Sequence, residues 1–192
     1  MGGGSCLRCP VLLIGGFSLA TAVQPASYDP VRDTISELAG RGATDSWVMT
    51  AALLGVGACY LLAALGLHPA RAGGRTLLAC GGVATFLIAL FRQPRHGYSL
   101  AHELAVIAAA VTCCSWPLFA SHRRHRALLL TRTQSFAATA MSCGLAAWYA
   151  LESQGTLLGI AERCAAAAPP LWLLAVVATT WHAQHRLSPA AA

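Results

Sequence analysis

Long apolar runs separated by short polar breaks recur six times along the chain, at about 9–25, 47–67, 77–91, 100–120, 135–151 and 164–181. A helix crossing a bilayer needs roughly 17–25 apolar residues, so the pattern predicts an all-α fold. The expected architecture is a single integral membrane domain over residues 1–192, a polytopic bundle of six transmembrane helices. The first and third runs are short. The first also resembles a signal peptide, because Arg8 precedes an apolar stretch and "ATA" at 20–22 looks like a cleavage site. A single Arg is a weak n-region, and the charge topology works with six helices, so this segment is read as retained.

One polar stretch interrupts the pattern between the first two runs. It reads "YDPVRDTISELAG" from Tyr28 to Gly40. Asp29 followed by Pro30 resembles a helix start, with the carboxylate capping free N–H groups and the proline where its missing donor costs nothing. Gly40 is a suitable stop. Val31, Ile35 and Leu38 fall on one face and Asp29, Asp33 and Glu37 on another. The expectation is a short amphipathic helix over about 30–39, outside the membrane.

Composition agrees with the pattern: 56% of the 192 residues are hydrophobic and only 10% charged, with a mean hydropathy of +0.58. That balance excludes an ordinary soluble domain. All thirteen basic side chains are Arg, which, with the Ala and Gly content, suggests a GC-rich bacterial source and hence a plasma membrane location. Placing both termini in the cytoplasm puts eight Arg and no acid on the inner side: Arg8, Arg71, Arg75, Arg123, Arg124, Arg126, Arg132 and Arg186. The outer side then holds five Arg and all seven acids, and the positive-inside rule favours this orientation. The inner "SHRRHR" loop at Ser121 to Arg126 fits anionic lipid headgroups. It is short and lacks interleaved aromatics, so no nucleic-acid partner is expected, and no protein partner is indicated.

Other polar groups fall on the same outer side. "FRQPRHGYSLAHEL" supplies Arg92, Arg95, His96, Tyr98, His102 and Glu103 around the start of the fourth helix, where Ser99 can cap. "GIAER" places Glu162 and Arg163 at the entry to the last apolar run. These segments together resemble the bacterial and archaeal membrane proteins catalogued as domain of unknown function 998. The resemblance rests on Tyr28 to Leu38, most of all on "RDTISELA" at Arg32 to Ala39, on the His-containing segment, and on Gly159-x-x-Glu162-Arg163. It covers the chain from first helix to last and implies the fold and membrane location, while passing on no catalytic role.

Three kinds of chemistry can be built from the outer cluster. The leading reading is structural, or the binding of a lipid or small molecule at the outer face. Here Arg32 and Arg163 neutralise Asp33, Glu37 or Glu162, since charges near hydrocarbon are costly unless paired, and Asp29, Arg32, Asp33 and Arg163 form the binding set. The alternative is a membrane-embedded hydrolase or transferase acting on a lipid or prenyl substrate. Its catalytic candidates are Ser36, Glu37, His102, Glu103 and Glu162, with His102 as general base on Ser36. Zinc on His96 and His102 with a carboxylate is a further option within that reading, although no His-Glu-x-x-His is present. The third reading is a small transporter in which Glu162 relays protons or holds a cationic solute and Pro169 and Pro170 kink the last helix.

Haem is not expected. His68 and His182 alone approach a common depth, and both sit at helix ends. Six of the eight Cys lie in apolar runs and read as small hydrophobes. Cys6 and Cys9 supply only half of a tetrahedral zinc site. The glycines, including Gly55, Gly57, Gly81 and Gly82, read as close helix-packing positions rather than a phosphate loop.

Overall fold

The computed structural model describes residues 4–95, 97–121 and 129–187. All regular structure within them is helical: α1 (Gly4–Ala22), α2 (Ile35–Leu38), α3 (Trp47–Gly66), α4 (Ala72–Leu90), α5 (Leu100–Ala120), α6 (Arg132–Leu151) and α7 (Leu158–Leu187), with one 3-10 turn at Glu152–Gln154. Each long helix packs on the next one in chain order, and α7 returns to pack on α1. Six helices thus close a ring. Four of the five breaks are short, which forces up-and-down neighbours. The fifth, between α1 and α3, carries α2, which touches both α1 and α7.

Four helices are long and apolar enough to cross a membrane: α3, α4, α5 and the Leu158–Ala183 part of α7. The apolar part of α1, Arg8–Ala22, is shorter. α6 owes its lower hydropathy partly to Ser135 and Ser142, which are buried against its neighbours rather than turned outward. The helical, membrane-scale architecture is as expected, and four rather than six of the predicted spans satisfy length and hydropathy together.

Close approach holds the ring together. A Cβ at Gly57 of α3 would stand 2.9 Å from the carbonyl oxygen of Gly82 in α4, and one at Gly82 2.8 Å from that of Gly57. Backbone therefore lies on backbone here, as small residues allow between membrane helices. The ring lines a partly open cavity of about 160 Å³.

The helix expected over 30–39 is shorter and begins later. Residues 30–32 form a turn, and α2 occupies only four residues. Thr34, not Asp29, is the cap: its hydroxyl accepts from the Glu37 N–H at 3.1 Å, and the Glu37 carboxylate accepts from the Thr34 N–H at 3.3 Å. This is a reciprocal capping box. Asp29 instead closes the preceding turn, accepting from the Val31 N–H at 2.9 Å. A helix starting at Pro30 would need the carbonyls of residues 30, 31 and 33 for its own ladder. All three are taken by α7.

Candidate functional site

α7 grips the 28–36 segment from both hydrogen-bonding polarities. The Glu162 carboxylate accepts the N–H of Ile35, the Ser36 hydroxyl at 2.8 Å and the Ser36 N–H at 3.4 Å. These N–H groups are the first two of α2, which no intrahelical carbonyl can satisfy, so a buried carboxylate at that point meets both the orphan donors and the positive end of the peptide dipoles. Glu162 is only 8% exposed. Its neighbour Arg163 does the opposite. Arg163 Nη1 donates to the carbonyls of Pro30, Asp33 and Gly159 at 2.8, 2.9 and 2.9 Å. Nη2 donates to the Tyr28 hydroxyl at 2.7 Å, and the guanidinium lies 5.7 Å from the centre of the Phe17 ring.

Two further contacts complete the clasp. The N–H groups of Gly159 and Ile160, themselves orphans in the first turn of α7, donate to the Val31 carbonyl at 3.0 and 3.2 Å. Gly159 is required for this approach, because a Cβ there would run into the Asp33 carbonyl oxygen and lie 2.7 Å from that of Pro30. Tyr28 donates onward to the carbonyls of Thr34 at 3.1 Å and Asp33 at 3.3 Å. Burial raises its phenol above the ordinary value against the lowering effect of Arg163, so it remains the protonated donor this geometry needs.

The far end of the segment is held by the α4–α5 connection. Arg92 donates from Nε to the Ala39 carbonyl at 2.9 Å and from Nη2 to the Ser46 hydroxyl, while the Arg41 N–H reaches the Gln93 carbonyl at 3.0 Å. α2 therefore forms a lid tied at both ends.

The expected ion pairs are replaced by hydrogen bonds. Among the described residues the one Arg–carboxylate bridge is Arg32 to Asp29 at 3.8 Å, between side chains 66% and 50% exposed. Arg163 spends its donors on carbonyls because the turn presents those of Pro30 and Asp33 at close range beside that of Gly159 in α7, and Glu162 takes amides because α2 presents its free N–H groups there. Asp33 accepts the Asp29 N–H at 2.7 Å and stays within its own turn. Glu37 is held by the capping box, and burial raises its carboxyl, reinforced by the nearby Asp33.

Of the catalytic candidates, the fold brings Ser36 and Glu162 into direct contact. His102 is 3% exposed and its Nδ1 bonds the Phe91 carbonyl at 2.9 Å, tying the start of α5 to the end of α4. Ser36 and His102 are thus committed to different partners, and the proposed base–nucleophile contact is not formed. His96, the other zinc candidate, lies outside the described residues, as does the inner 122–128 loop. Among the described residues no three His, Cys, Asp or Glu side chains could share a metal ion.

The cavity meets the clasp. Its wall takes residues from all six long helices, chiefly Leu, Ile, Val and Ala, and at the lid end it is bounded by Ile35, Ser36 and Glu162. Tyr149 of α6 also lines it, in the same wall as Glu162. Sequence reading named Tyr28, Thr34 and Gly159 only as positions of the family motifs, gave them no role, and passed over Tyr149. Thr34-x-x-Glu37 carried a legible capping-box signature, whereas a lone Tyr in an apolar helix carries no signal of its own.

No match to the chain is found among curated proteins or among solved structures. A family model does match, over residues 9–179, and thus spans α1 through most of α7 together with both halves of the clasp. On that match the chain belongs to the family described as "Protein of unknown function (DUF998)".

Proposed function

We propose that this protein is a membrane-embedded binding protein for an amphipathic small molecule or the end of a lipid chain. The apolar part would sit in the ring cavity and the polar part against Glu162, Ser36 and Tyr149, under the α2 lid. The single observation that carries this reading is the cavity itself, apolar along the ring and polar where it meets the lid. At about 160 Å³ it matches cavities of roughly 150 Å³ that stay dry and take up benzene. It therefore suits a ring or about six carbons rather than a whole lipid. In this reading all six long helices cross a bacterial plasma membrane. Both termini are cytoplasmic and the lid is extracytoplasmic, on the balance of eight inner to five outer Arg.

The reading is tested with fluorobenzene in lipid nanodiscs. The wild type is expected to give a fluorine resonance distinct from that of probe dissolved in the bilayer, and Ala110→Phe, which fills the cavity wall, is expected to lose it. Identical spectra for the two proteins would sink the proposal.

A further inference from the structure

We infer that the ligand of the ring cavity carries a cationic head, a protonated amine or quaternary ammonium on a short apolar body; this inference rests on the binding reading above. Glu162 is its anchor. A carboxylate offers about four lone-pair positions, and here three are engaged, by the Ile35 N–H, the Ser36 hydroxyl and, at 3.4 Å, the Ser36 N–H. None of these donors is a cation. Arg163 is adjacent in sequence, but its guanidinium is directed to three carbonyls and the Tyr28 hydroxyl.

Among the described residues no Arg lines the cavity, and Glu162 is the carboxylate that does. The Tyr149 ring beside it can receive an ammonium on its face. Pro169 and Pro170 lie inside α7, so the N–H groups that would serve the carbonyls four residues earlier are missing. Those carbonyls belong to Ala165 and Ala166, both of which line the cavity. The cavity end is therefore rich in acceptors, the Glu162 carboxylate among them. An anionic head would meet that carboxylate. A neutral hydroxyl would find acceptors but forgo the stronger hydrogen bond that a charged donor makes to a carboxylate.

The test compares three six-carbon probes in nanodiscs, hexylammonium, 1-hexanol and hexanoate, by their displacement of cavity-bound fluorobenzene. Hexylammonium is expected to displace the probe at about tenfold lower concentration than hexanol, with hexanoate weakest. Glu162→Gln is expected to erase the difference between ammonium and alcohol. Should that variant not fold, Tyr149→Phe, which removes one hydroxyl from the wall, is expected to narrow it. Equal potency of hexylammonium and hexanol, or a preference unchanged in both variants, overturns the cationic head while the retained fluorobenzene resonance leaves the cavity reading standing. Absence of that resonance in the wild type removes the cavity reading, and the cationic head with it.

Discussion

Glu37 combines two roles that conflict. Its carboxylate caps α2 by accepting the Thr34 N–H, yet burial and the nearby Asp33 raise its pKa above the ordinary carboxylate value. A carboxyl raised in the folded state contributes stability that is fully present below its unfolded pKa and is lost as pH rises through the folded one. Gln at this position keeps the accepting oxygen and removes the charge. Glu37→Gln is therefore expected to melt with the wild type near pH 4 and above it near pH 7, well above the ordinary carboxylate pKa. Melting curves in detergent across that range check it, and a gap that shrinks as pH rises would contradict the assignment.

At the scale of the element, α2 is too short to be stable by itself, since isolated helices below about 12–15 residues are marginal in water. It persists because α7 satisfies its N-terminal donors and fixes the turn that precedes it. Arg163 makes four hydrogen bonds in one plane-and-fork geometry, a set that the three rotatable donors of a lysine ammonium do not reproduce. Arg163→Lys is expected to loosen the lid by about 2–3 kcal/mol, as for hydrogen bonds lost from a charged group. Trypsin cleavage after the exposed Arg32 and Arg41 should then accelerate by one to two orders of magnitude if cleavage follows lid opening. Arg32→Ala, which removes an exposed bridge worth about 0–1 kcal/mol, should leave melting nearly unchanged. An Arg32 effect as large as that of Arg163→Lys would restore the ion-pair view of the cluster.

For the whole molecule, the ring and its cavity depend on how closely adjacent helices approach. The Gly57–Gly82 contact joins α3 to α4 without room for a side chain on either. Gly57→Val is expected to spread the pair, lower the melting temperature by several degrees through overpacking of about 1–3 kcal/mol, and abolish cavity binding of fluorobenzene. Gly144, in α6, faces open space. Gly144→Ala is expected to leave binding intact and to stabilise by up to about 1 kcal/mol through helix propensity. The two variants together separate close packing from helix propensity as the reason for the glycines, and loss of binding in Gly144→Ala alone would reverse that account.

Hydrophobic patterning alone determined that the chain is helical and of membrane scale, because apolar run length is a one-dimensional property read directly against bilayer thickness; of the described helices, four meet length and hydropathy together. It also located the polar cluster, since Asp, Glu and Arg between apolar runs stand out whatever their partners. The 30–39 helix was misjudged for a physical reason. Asp-Pro and four-residue spacing are local signals, while the carbonyls of Pro30, Val31 and Asp33 were claimed by a helix about 130 residues away. The partners of Glu162 and Arg163 were hidden for the same reason. Opposite charges in one region suggested ion pairs, but only the folded chain brings α2's free amides to the acid and the turn's carbonyls to the guanidinium. Tyr149 and the cavity belong wholly to the tertiary structure, because a cavity lined by six helices is a relation among them that no segment encodes by itself.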